Sequence, residues 1–180
     1  TGVMKSIQNP ENLWLVLNEI CKENKSFAKD LLVTLIGDFD DSIINDTNII
    51  SLGSSVNFEG YLDSVELKDK LQTAQVLLLS SVNLANVTDI IPGKLFSYLS
   101  VKRPILAFSS PNSDVEDIIN ETKSGRVFDY SDKVNLKEYI LDLYTQFKES
   151  NTSLDVFEID QYNYKSLSKR LSAIIDKTIS

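Results

Sequence analysis

The order Gln75-Val76-Leu77-Leu78-Leu79-Ser80-Ser81, then Ile91-Pro92-Gly93-Lys94-Leu95-Phe96-Ser97-Tyr98-Leu99-Ser100-Val101, then Pro104-Ile105-Leu106-Ala107-Phe108 decides the fold. The first stretch is a nearly continuous apolar run, as expected of a strand buried on both faces. The second reads as a helix with Pro92 in its first turn and with Leu95 and Leu99 toward the core. The third is a short strand. Buried strands alternating with helices argue for an α/β domain with a parallel sheet.

The same alternation extends outward in both directions. Upstream, Asp30-Leu31-Leu32-Val33-Thr34-Leu35-Ile36-Gly37 is another apolar run. It follows a helical pattern from Asn12 to Phe27, with Leu13, Val16, Leu17 and Ile20 on one face, Pro10 in the first turn and Asn9 as N-cap. Val56 to Tyr61 reads as a strand, and Asp63 caps a helix carrying Leu67, Leu71 and Ala74. Downstream, the pattern predicts a helix over Asp114 to Thr122 with Ser124-Gly125 as its C-cap, and then a strand at Arg126-Val127-Phe128. A helix follows from Val134 to Lys148, with Leu136, Tyr139, Ile140, Leu143 and Phe147 on its apolar side. The polar segment Glu149 to Asp155 reads as a linker. One more helix, Gln161 to Ile179, carries Leu167, Leu171, Ile174 and Ile175 with no strand after it. The expectation is one mainly parallel sheet of about six strands with helices on both faces, spanning residues 1–150. Residues 151–180 add a linker and a terminal helix.

Composition bounds the function. The chain has 180 residues, 42% hydrophobic and 24% charged, which is a globular balance for a single domain. It has no histidine, so Ser-His-Asp and Cys-His chemistry and histidine metal ligands are excluded within it. The single cysteine, Cys21, cannot form an internal disulfide. Lys and Arg against Asp and Glu give 18 − 26 = −8, a poor balance for neutralising duplex DNA, and no nucleic-acid partner is expected. No apolar run approaches the roughly 20 residues of a membrane span. The opening Thr1-Gly2-Val3, without a Met, suggests a piece of a longer protein.

Several motifs fail on inspection. There is no Gly-x-Gly-x-x-Gly dinucleotide loop. Gly93-Lys94 is similar to the end of a P-loop, but Thr88 stands at the loop-glycine position and Leu95 where Ser or Thr is needed. Asp38, Asp40 and Asp41 follow a strand and could hold a metal, as in a phospho-acceptor receiver domain. The reading favoured is a solvated turn in which Asp40 or Asp41 caps a short helix through Ile43-Ile44. A receiver would also want a lysine after a late strand, where Ser109-Ser110-Pro111 stands. No metal spacing is present, so no metal is expected.

The segment from Ile90 to Pro104 is different. It holds Lys94, Lys102 and Arg103 and no acid, a local +3 in a chain of −8. Its helix opens just after the carboxyl end of a buried strand, the edge where parallel sheets bind ligands. A helix N-terminus offers unpaired N–H groups and a positive dipole end to an anion. Lys94 lies in the first turn, and Ser97 is three residues on, on the same face.

This segment resembles the donor-site segment of GT-B glycosyltransferases, in the nucleotide-sugar-binding C-terminal domain of the retaining, glycogen-synthase-like group. The likeness extends through Asn9-Pro10-Glu11-Asn12-Leu13, Leu35-Ile36-Gly37-Asp38, Val56 to Tyr61, Ala74 to Ser80, Ser113-Asp114 and Ser124-Gly125. It implies a Rossmann-like three-layer sandwich, one half of a GT-B fold, with catalysis in a cleft shared with a missing N-terminal domain. It implies Lys94 and Asp89 as catalytic residues. It implies donor contacts at Gly2, Lys5, Gln8, Gly60, Tyr61, Pro92, Gly93 and Ser97, with Tyr61 as a stacking surface for the base. The donor would be a nucleotide-diphosphate sugar, used as substrate with no cofactor. The acceptor would be a saccharide or cell-surface polysaccharide, and the fragment alone would be inactive. The location implied is cytoplasmic, at the inner face of the membrane through the missing domain. Two positions depart from the family pattern: Ser97 stands where an acid contacts ribose, and Gln8 where a base contacts the diphosphate. The alternative is a degenerate, non-catalytic module kept for protein–protein contact.

Overall fold

In the computed structural model, residues 1–82, 90–149, 159–162 and 164–179 are described. Among them are six strands: β1 (Gly2–Met4), β2 (Val33–Phe39), β3 (Val56–Glu59), β4 (Leu77–Ser80), β5 (Ile105–Phe108) and β6 (Gly125–Phe128). Helices alternate with them: α1 (Glu11–Glu23), α2 (Lys25–Asp30), α3 (Asp41–Ile44), α4 (Thr47–Ser51), α5 (Ser64–Thr73), α6 (Lys94–Val101), α7 (Asp114–Thr122), α8 (Val134–Lys148) and α9 (Tyr164–Ile179). Every strand pair is parallel, and the strands form two sheets, β1-β2-β3 and β4-β5-β6.

Both faces are covered, and β5 shows why its run is apolar throughout. Leu106 and Phe108 belong to one core, with Trp14 and Leu17 of α1, Leu35 of β2 and Leu136 of α8. Ile105 and Ala107 point the other way, into a second core with Leu71 of α5, Leu95 and Leu99 of α6 and Ile119 of α7. Successive side chains of a strand face opposite sides, so two helix layers demand apolar residues at every position. The predicted α/β architecture with parallel strands and helices on both faces is what the chain adopts, but the six strands are divided between two three-stranded sheets rather than joined in the one sheet expected.

Local departures have local causes. Asn9 does not cap α1; Pro10 occupies the N-cap position. The Asn9 side chain instead accepts from the buried Trp14 indole Nε1 at 2.7 Å and donates to Asp46 at 3.1 Å. The long helix predicted to Phe27 breaks at Asn24, whose carboxamide caps α2 through the N–H groups of Ser26 and Phe27. Asp63 caps α5 as predicted, in a capping box with Glu66. Pro92 lies ahead of α6, which begins at Lys94 with Gly93 as N-cap; the Pro92 carbonyl accepts from Leu95 N–H. Ser124-Gly125 is not the cap of α7. Lys123 takes the left-handed position at φ 52°, and Gly125 opens β6, where a Cβ would sit 1.9 Å from the Ile105 carbonyl oxygen. The linker at Glu149 to Asp155 lies, beyond Glu149, outside the described residues. No helix among the described residues is long and apolar enough to cross a membrane.

Candidate functional site

The carboxyl ends of β1 and β4 are tied together by polar contacts. The Ser80 hydroxyl donates to the Gln8 carbonyl and lies 2.8 Å from the Tyr130 hydroxyl, and Gln8 Nε2 donates to the Ser80 carbonyl at 3.5 Å. Tyr130 also donates to the Ser81 carbonyl at 2.6 Å. These bonds fix the loop after β1 against the end of β4, on the edge where the sequence predicted ligand binding.

Lys94 reaches this region from the first position of α6. Its Nζ donates to the Thr1 carbonyl at 3.1 Å. The side chain is half-buried, and that burial lowers its pKa from the ordinary lysine value. One turn on, the Tyr98 hydroxyl accepts from the Thr1 ammonium at 3.1 Å. Burial, then the nearby Lys94 charge, holds that ammonium down at about 5. The N-terminus of α6 has no side-chain cap, because Gly93 supplies none. Glycine at this point, and at Gly2 and Gly60, leaves open space where a Cβ would stand. Gly37 is the reverse case: at φ +122° its Cβ would fall 2.1 Å from the Gly2 carbonyl oxygen, so only glycine lets β1 and β2 meet here.

Other predicted site residues are distributed differently. Lys5 forms an ion pair with Asp40 at 3.2 Å, and Asp40 also accepts from Ser6 N–H at 2.8 Å. The Ser6 amide bond and then Lys5 lower the Asp40 pKa, so Asp40 clamps the loop after β1 rather than capping α3. Gln8 is committed through both ends of its side chain, since its Oε1 accepts from Lys5 N–H at 3.0 Å. Ser97 is exposed on the outer face of α6. Gly60 and Tyr61 follow β3, and Tyr61 is 92% exposed, which rules out a core role. The local +3 does not converge. Lys102 ends α6 in the left-handed conformation and Arg103 donates twice to the Gln72 carbonyl, both a helix length of about 12 Å from Lys94. Asp89 lies outside the described residues. Sequence reading missed Ser81, whose buried hydroxyl at the end of β4 has no hydrogen-bond partner among the described residues. Its only signal was a second serine closing an apolar run.

No protein-family model and no curated protein matches the sequence. Solved structures do match. The chain is similar to WaaG, a glycosyltransferase involved in lipopolysaccharide biosynthesis, at TM-score 0.60 and 13% identity over 87% of this chain and 44% of that one. It is similar to an E. coli trehalose-6-phosphate protein bound with UDP-2-fluoro glucose, at TM-score 0.59 and 10% identity over 84% of this chain and 37% of that one. A putative UDP-N-acetylglucosamine 2-epimerase from Listeria monocytogenes matches at TM-score 0.63 and 12% identity, over 99% of this chain and 44% of that one. The chain thus spans less than half the length of each of these proteins. At such identities the likeness concerns architecture: the chain has a Rossmann-like α/β fold of the kind that forms one half of a GT-B fold.

Proposed function

We propose that this chain is the donor-binding half of a glycosyltransferase that moves a sugar from a nucleotide diphosphate to a saccharide acceptor. The observation that carries the reading is Lys94, at the uncapped N-terminus of α6, on the carboxyl edge of a parallel sheet and beside the open backbone of Gly2. One of the similar structures is bound with UDP-2-fluoro glucose, and another is a putative UDP-N-acetylglucosamine 2-epimerase. In this reading the diphosphate lies against the N–H groups at the start of α6, beside the Pro92-Gly93 turn. Lys94 spends one N–H on Thr1 and has two left for phosphate oxygens. As the sugar leaves, charge grows on the diphosphate, and the Lys94 ammonium and helix dipole oppose it. Tyr61, almost fully exposed, supplies a face for the base, and Ser97 a hydroxyl for ribose. Asp89 would act on the sugar. The acceptor binds mostly to an N-terminal domain beyond this chain. The apolar face of α9, with Leu171 58% and Ile174 62% exposed, turns toward that domain.

A second reading is a non-catalytic interaction module. The internal commitment of Gln8 favours it, because both ends of its side chain are hydrogen-bonded, to Lys5 N–H and to the Ser80 carbonyl. Calorimetry of the full-length protein with UDP-, GDP- and ADP-sugars separates the two. Binding of one of them supports the donor-site reading; a folded protein that binds none supports the module.

A further inference from the structure

Proton counting at the end of β4 leaves one contact short. The Ser80 hydroxyl has one proton, and it goes to the Gln8 carbonyl. The Tyr130 hydroxyl has one proton, and it goes to the Ser81 carbonyl. Carbonyl oxygens only accept, so no proton is left for the 2.8 Å contact between the two hydroxyls. Three close contacts thus share two protons. The shortage ends if Gln8 lets go. Ser80 then donates to Tyr130, Tyr130 keeps its bond to the Ser81 carbonyl, and every remaining contact has its proton.

The two sides of this cluster are not equally held. Tyr130 is fixed: Asn12 Nδ2 donates to its carbonyl at 2.5 Å, and its ring packs against Phe108 with 5.5 Å between centroids. Ser80 is buried in β4 and paired with β5. Gln8 instead closes a single 3₁₀ turn, Ser6–Gln8, of which Ser6 and Ile7 are exposed. The turn is pinned on either side of Gln8, where Asp40 accepts from the Ser6 N–H and the Trp14 indole donates to the Asn9 side chain. Its other hold on β4, from Gln8 Nε2 to the Ser80 carbonyl, is 3.5 Å long and correspondingly weak.

We propose that Ser80 and Tyr130 form a hydroxyl relay that latches and releases Gln8. In the latched state Ser80 donates to the Gln8 carbonyl. In the released state Ser80 donates to Tyr130, and Gln8 is free to turn toward the diphosphate. Tyr130 is a positioning residue: by accepting the Ser80 proton it keeps a buried hydroxyl satisfied, so that release costs little. The role in donor binding rests on the proposed function; the latch itself does not.

Hydrogen exchange at the Asn9 amide reads the latch. Its N–H shares a peptide plane with the Gln8 carbonyl and is held by the Ser6 carbonyl at 3.0 Å. In Tyr130→Phe, release strands the buried Ser80 hydroxyl, so exchange at Asn9 should slow by at least about fivefold. A tyrosine that only braced the loop would give the opposite sign, and equal or faster exchange would overturn the relay. Ser80→Ala removes the latch bond and should speed the same amide by at least about fivefold; no change there would also overturn it. If Tyr130→Phe fails to fold, relaxation dispersion at the wild-type Asn9 amide takes its place. Exchange broadening that disappears in Ser80→Ala supports the relay, and a wild type without broadening overturns it. Calorimetry with UDP tests the link to the donor: in the full-length protein, Tyr130→Phe should bind UDP at least about fivefold more weakly than wild type. Equal affinity would overturn that link. A wild type that binds no UDP counts against the donor reading alone, because the exchange result is obtained without nucleotide.

Discussion

When the polypeptide is prepared as residues 1–180, with a free amine at Thr1, lowering the pH from 8 to 6 should weaken it through that ammonium. The structure buries it against Tyr98 and near Lys94, and its pKa falls from 8.0 to about 5. The group is a cation whose folded pKa is depressed. Between those values the unfolded chain binds a proton that the folded chain does not, so stability rises with pH across this window and is lost as pH falls. Three pH units correspond to about 4 kcal/mol in full, of which roughly 2 kcal/mol is lost between pH 8 and pH 6. The window is clean because the chain has no histidine, the only side chain whose ordinary pKa lies there. Urea unfolding at pH 6, 7 and 8, followed by far-UV circular dichroism, reads the change as a shift in midpoint at constant slope. The N-acetylated chain should show no such shift. An equal pH dependence in the acetylated and free chains would refute the assignment to Thr1.

Other outcomes follow from single contacts. Gly37→Ala places a Cβ 2.1 Å from the Gly2 carbonyl oxygen at φ +122°, and should cost more than about 2 kcal/mol in urea unfolding. Asp63→Ala removes the cap on the Val65 and Glu66 N–H groups and should cost about 1 kcal/mol by the same assay. Ser97→Glu lies on an exposed helix face, so stability should move by less than about 0.5 kcal/mol. If Ser97 meets ribose, calorimetry of that variant should show tighter donor binding; unchanged affinity removes Ser97 from the site.

The amphipathic and fully apolar elements were legible in the sequence because their pattern is local. α7 and α8 begin and end where the residues say, and Asp63 caps α5 through bonds to its own neighbours. β1 was not legible: three residues carry no period, and only pairing with β2 across more than thirty positions makes them a strand. Asn9 was misread for the same reason, since its partners Trp14 and Asp46 come together only in the folded core. Asn24 was a missed local signal, a side chain that competes with the helix for its own backbone. At the site, the sequence placed Lys94 at a helix N-terminus and on the ligand edge. It overstated the charge there, because counting along the chain ignores the length of α6, which sends Lys102 and Arg103 to the far end. The contacts of Lys5, Gln8 and Thr1 were illegible, each being made to a distant element.

The most direct measurement of the central claim is the donor affinity of Lys94→Ala in the full-length protein, by calorimetry with the nucleotide-diphosphate sugar the wild type binds. One charged hydrogen bond to phosphate is worth about 1.5–3 kcal/mol, so affinity should fall by about ten- to a hundredfold. Loss of the bond to the Thr1 carbonyl should cost the fold about 1.5–3 kcal/mol on the same scale, so far-UV circular dichroism first verifies that the variant is folded. A folded variant that binds the donor as tightly as wild type would contradict the account.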